Sequence, residues 1–176
     1  MNLRPHTGTL KTVLLLGVAL FLLAIIQCSF FSGLSFIGVT PNIVMGAVAA
    51  VAFFENERTV TVFSVAAGFM LDVLGGTGLP ISPVVMLVAS VVFTLISKKM
   101  LKGFFPYFLL MPVAAFFATV STCLGLLFAG RIPELSYLFF KMLIPEFFLT
   151  ILFSLPLYPF FKLLSRLCES KGKFKM

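Results

Sequence analysis

Two of the six acidic side chains in this 176-residue chain, Asp72 and Glu146, stand inside strongly apolar runs. A carboxylate in such surroundings is costly unless it meets water, a cation or hydrogen-bond donors. Asp72 follows Ser64 and Gly68 at four-residue steps, and Gly75, Gly76 and Gly78 come after it. It reads as the last turn of a helix, where a negative charge opposes the macrodipole. As a structural group it would bond Asn42, backbone N–H groups of the Gly75–Gly78 turn, or Arg131. The alternative is a proton or cation site. Glu146 follows Pro145, and Thr150 and Ser154 follow it at the same four-residue step. Proline frees a carbonyl one turn earlier, so a kink is expected there. Glu146 would form an ion pair with Lys141 or Arg131, stay protonated inside the bundle, or contact a partner chain.

Other chemistries lack their residues. His6 is the only histidine, and it lies in the N-terminal tail. Cys28, Cys123 and Cys168 are far apart with no CxxC, so a zinc site is not expected. Asp72 is the only aspartate, which rules out an aspartate pair. There is no Ser/His/Asp set, no phosphate-binding glycine loop and no HExxH. The chain reads as a non-enzyme without cofactor or metal.

The elements that must position these residues are membrane helices. Hydrophobic residues make up 60% of the chain and charged ones 11%, against about a quarter charged in soluble domains. A soluble fold of this size has too little interior for that composition. The apolar runs are continuous rather than alternating, which points to helices and not to a barrel. Six spans are expected in one integral membrane domain, at about 12–30, 41–54, 59–74, 83–97, 105–129 and 137–161, with a basic tail over 162–176. A signal peptide is not expected at the N-terminus, because no A-x-A site follows the first run. Pro41 suits the first turn of the second span. Tyr107, Tyr137 and Tyr158 read as interfacial anchors.

The spans at 41–54 and 59–74, joined by Glu55-Asn56-Glu57-Arg58, form a hairpin. That brings Asn42 and Asp72 to the same side of the bilayer. Asn42, Gly46 and Ala50 line one helix face, a small-residue seam that admits a close neighbour. Ser90, Thr94 and Ser97 line another. An even span count puts both termini on one side. Arg4, Lys11, Arg58, Lys98, Lys99, Lys102, Lys162, Arg166, Lys171, Lys173 and Lys175 then share that side, and only Arg131 and Lys141 oppose them. By the positive-inside rule the shared side is cytoplasmic. The net charge of +7 is thus a topological signal, and no nucleic-acid partner is expected.

Gln27, the run Thr40-Pro41-Asn42, the stretch Gly68-Phe69-Met70-Leu71-Asp72-Val73-Leu74 with its glycines, and Ile144-Pro145-Glu146-Phe147 through Leu155-Pro156-Leu157-Tyr158-Pro159 together resemble the MreD family. Those are small integral membrane subunits of the bacterial cell-elongation (rod) machinery. The resemblance covers most of the chain. It implies an architecture similar to the six-helix S-components of energy-coupling-factor importers and a place in the bacterial inner membrane. It implies binding to MreC and, through MreC, association with MreB, a SEDS glycosyltransferase and a class B penicillin-binding protein. The role would be to support lateral-wall peptidoglycan synthesis and cell shape. The outer hairpin end (Pro41, Asn42, Gly68, Asp72, Gly75 and Gly76) and the last helix (Pro145, Glu146, Thr150 and Ser154) would be the structural or partner surface. The sequence leaves a homodimer open. The competing reading is the substrate-binding S-component of a vitamin or metal importer. Such proteins resemble one another in two alanines four apart on the first helix, whereas Ala19 and Ala24 are five apart.

Overall fold

The computed structural model describes residues 9–31, 39–75, 81–100, 103–130 and 137–169. The chain is an all-α membrane protein. Helix α1 (Thr9–Ile25) runs on into a π-helical turn, Ile26–Phe31. Helices α2 (Ile43–Phe54), α3 (Glu57–Gly75), α4 (Ile81–Lys99) and α5 (Phe104–Phe128) follow. A second π turn, Leu138–Leu143, leads into α6 (Ile144–Ser154), and α7 (Leu157–Glu169) ends the described chain. Five helical stretches are long and apolar enough to cross a bilayer, and α2 is the short one.

The fold is built around α2. Its residues are apolar and mostly small on every face, the signature of a wholly enclosed helix. Ile43 through Phe53 are all buried. All of the other helices touch it. Its 12 residues reach about 18 Å, short of a ~30 Å hydrocarbon core. Its N-terminal end, at Pro41 and Asn42, is buried to half-buried, whereas its C-terminal end runs into the exposed residues Asn56, Glu57 and Arg58; unpaired backbone groups at the buried end have no water to turn to.

The outer helices invert the soluble pattern. Val18, Leu22, Val73, Phe105 and Phe148 face outward, while Ala24, Ala67, Ala89, Ala114 and Ala118 face in. Small inward residues let backbones approach, the packing rule for membrane helices. Gly68 is the tightest case in the α3–α4 pair. A Cβ there would lie 2.3 Å from Pro83 Cα, so no side chain fits without moving a backbone.

Two boundaries differ from the sequence reading. Helix α2 starts at Ile43, with Asn42 as its N-cap, so Pro41 precedes the cap instead of occupying the first turn. The last span does not end at 161 in a tail. It breaks at Leu155-Pro156 and resumes as α7 through Glu169. Leu157, Tyr158 and Phe161 are buried, while Leu163 and Arg166 face out. Lys162 and Arg166 thus ride on an amphipathic helix, and Lys162 stacks 5.4 Å from the Tyr158 ring centre.

Candidate functional site

The sequence-predicted residues meet at the N-terminal end of α2. The first N–H groups of any helix lack intrahelical partners. Here they find side chains. The Asn42 Oδ1 accepts from the Met45 N–H at 3.0 Å. The Gln27 amide, carried on the first π turn, works both ways: its Oε1 accepts from the Ile43 N–H at 2.8 Å, and its Nε2 donates to the Pro41 carbonyl at 2.7 Å. The Asn42 N–H donates to Thr150 Oγ1 of α6 at 3.1 Å. Three separated segments are thus tied at one point.

From that point α2 and α6 run side by side in the same direction. Thr150 sits against Asn42, and one turn later Ser154 sits against Gly46. The small-residue stripe of α2 and the polar stripe of α6 are two halves of one seam. Thr150 and Ser154 are fully buried. Glu146, one turn before Thr150, is only 2% exposed. It turns to α5, where Thr122 Oγ1 donates to its Oε1 at 2.6 Å. The expected pairing with Lys141 does not occur: Lys141 lies over the Tyr137 ring, 5.4 Å from its centre. Arg131, the other expected partner, lies outside the described residues. Pro145 stands at the start of α6, directly after the π turn, in which the Ile144 N–H reaches back to the Phe139 carbonyl.

Asp72 shares this end of the bundle but holds a different helix. Its Oδ2 accepts from the Ser82 N–H at 3.1 Å. Ser82 is in the first turn of α4, so the carboxylate caps the next helix from the last turn of its own. The charge that opposes the α3 dipole is favourable to that of α4. Gly75 closes α3 and is exposed; Gly76 lies outside the described residues.

The opposite end of α2 is closed by Ser97, at the end of α4, and by two tyrosines expected at the interface. The Ser97 hydroxyl donates to the Ala52 carbonyl, 2.9 Å away, with the Thr94 carbonyl of its own helix, at 3.1 Å, as the alternative acceptor. Ser90 and Thr94, on the same face, bond only carbonyls of their own helix. Tyr107 is fully buried, not an interfacial anchor, and its hydroxyl donates to the Ser154 carbonyl at 3.0 Å. That carbonyl is free because the helix breaks there. The Tyr158 N–H that would normally reach it bonds Leu155 instead, at 3.2 Å. Tyr158 is buried too, in a ring cluster with Phe53, Phe54, Phe104 and Tyr107. Only Tyr137 of the three is exposed. The usable signal for Gln27 was a lone amide in an apolar run, since such a group needs a partner in lipid. Lys98 and Glu57 pair at this end, near the protein surface.

Comparison with protein-family models, with curated proteins and with solved structures gives no match.

Proposed function

We propose that the chain is a non-enzymatic membrane subunit of the bacterial cell-elongation complex, the role that the MreD resemblance implies. It binds MreC and, through it, supports lateral-wall peptidoglycan synthesis and cell shape. One observation carries the reading. Gln27, Pro41, Asn42 and Thr150 belong to separate stretches of the resemblance, yet they bond into a single cluster. Residues that recur together for an architectural reason are expected to meet in this way. The buried polar groups brace helices against one another, the work of a subunit that presents a rigid surface to other membrane helices. The reading places the chain in the cytoplasmic membrane with both termini inside. The distribution of charge supports this orientation: Arg58, Lys98 and Lys99 lie at the Ala52 end of α2, and Lys141 belongs to the Asn42 end.

The test is a mild-detergent pull-down of the tagged chain from its own host, with bound proteins identified by mass spectrometry. Recovery of MreC together with a class B penicillin-binding protein is the expected result. Recovery of an ATPase pair and a coupling membrane subunit would instead assign the chain to the importer S-components.

A further inference from the structure

Helix α7 does not follow the line of α6. Along the seam Thr150 is level with Asn42 and Ser154 with Gly46, so a straight continuation would bring Phe161 level with Phe53, near the end of α2. Phe161 meets Phe63 of α3 instead, with ring centres 6.4 Å apart. Phe63 stands six residues after the start of α3 at Glu57, about 9 Å back inside the bundle. Tyr158, one turn earlier on α7, already lies against Phe54 at the end of α2 and Phe104 at the start of α5, at 5.5 and 5.3 Å. The helix turns aside after Leu155-Pro156 and runs along this end of the bundle rather than away from it. Length agrees. The stretch Leu138–Arg166 has 29 residues, about 44 Å of helix against a ~30 Å hydrocarbon core. The surplus, about nine residues, is close to the part of α7 that ends at Arg166.

The faces of α7 divide its residues by kind. Leu157, Tyr158 and Phe161 pack inward. Phe160 and Leu163 are exposed on one flank, and Lys162 and Arg166, four residues apart, lie on the other. Among the described residues neither base meets a carboxylate. Lys162 stacks on Tyr158, and the ion pair at this end is that of Lys98 with Glu57. Arg58 and Lys99 belong to the same end.

We propose that α7 lies in the plane of the bilayer at the basic end of the bundle and binds anionic phospholipid there, with Phe160 and Leu163 among the upper acyl chains and Lys162 and Arg166 on the phosphates. The two flanks select this occupant together. An acidic peptide would satisfy the bases but leave the apolar flank in water. A neutral lipid would cover the apolar flank but leave both cations without a counter-charge. A helix of this kind seats its apolar side just below the headgroups. Each basic residue near the surface favours an anionic lipid about fivefold.

The chain has no tryptophan, so a single introduced one reports its own depth. Phe160→Trp, Lys162→Trp, Leu163→Trp and Arg166→Trp are made separately in the full chain, reconstituted in vesicles of phosphatidylcholine and phosphatidylglycerol. Quenching by lipids brominated at different acyl positions then gives each depth. None of the four sites is buried, so the fold accommodates the ring. Positions 160 and 163 are expected to lie deeper than 162 and 166, with 163 about 5 Å below 162, the radius of a helix with its side chains. In a helix that continues straight out of the bilayer, depth would fall steadily along the chain by about 1.5 Å per residue. Position 163 would then lie nearer the surface than 162, and that order overturns the assignment. The headgroup is tested in Leu163→Trp. Brominated phosphatidylglycerol is expected to occupy the site at least about fivefold more readily than brominated phosphatidylcholine, and Lys162→Gln with Arg166→Gln to remove most of the preference. Equal quenching by the two lipids, or an undiminished preference in the double variant, also overturns it.

Discussion

Ser154 stands directly on Gly46: a Cβ built at position 46 would lie 2.0 Å from Ser154 Oγ and 2.5 Å from its Cβ. No rotation of Ser154 relieves the second contact, so the α2–α6 seam admits hydrogen alone at this point. Gly46→Ala is expected to destabilise the bundle by about 1–3 kcal/mol, the usual cost of overpacking. Ser154→Gly removes both clashing atoms. The double variant should therefore recover most of the loss, giving a coupling of at least ~0.5 kcal/mol. Thermal unfolding of the four chains in one detergent measures this. Additive effects of the two substitutions would mean that the seam is looser than described.

Gln27 serves an N–H and a C=O at once, at the point where α2 begins. Gln27→Leu keeps the approximate volume and removes both bonds. Two backbone groups within the bundle are then unpaired, each costing about 1–3 kcal/mol. The expected result is a large drop in unfolding temperature and yield. Thr61→Val is the comparison: its hydroxyl is exposed and bonds only the Glu57 carbonyl of its own helix, so it should change little. Similar behaviour of the two variants would contradict the capping role of Gln27.

The elements were legible because hydropathy and four-residue spacing are local properties. The stripes Asn42–Gly46–Ala50 and Glu146–Thr150–Ser154 could each be read that way. Their pairing could not, since nothing in either stripe says which helix it faces. Tyr107 was misplaced for a related reason. Aromatic hydroxyls near helix ends usually mark the interface. This one is drawn inside by a carbonyl freed at Leu155-Pro156, a break in a different helix. Lys141 and Glu146 looked like an ion pair from spacing and charge, but the π turn before Pro145 changes which side chains share a face. The hydrogen bond that the Ser82 N–H donates to Asp72 joins two helices across ten residues of sequence, which no periodicity encodes.

Asp72 caps α4 through one carboxylate oxygen. An asparagine offers an equivalent acceptor and ranks with aspartate as a cap, whereas alanine offers none. Asp72→Ala should therefore cost about 0.5–2 kcal/mol, and Asp72→Asn clearly less. Unfolding temperatures of the two variants separate this role from a cation or proton site. If the negative charge itself were required, Asn would fare as badly as Ala.

Tyr107→Phe tests the opposite end of α2 with the smallest possible change. The ring keeps its packing against Phe53 and Tyr158, so no cavity forms. What is lost is one hydrogen bond to the Ser154 carbonyl. That carbonyl is buried and its own helix does not supply a donor. The cost should thus lie at the upper part of the ~1–3 kcal/mol range for a stranded acceptor. A control comes from the cause of the vacancy. Pro156 and Pro159 each lack an N–H, and together they break the helix after Ser154. Replacing both with alanine lets α6 run straight into α7 and returns the Tyr158 N–H to the Ser154 carbonyl. In that background Tyr107→Phe should cost less than in the parent chain, measured again as a shift in unfolding temperature. An unchanged cost would mean that the hydroxyl acts through something other than this carbonyl.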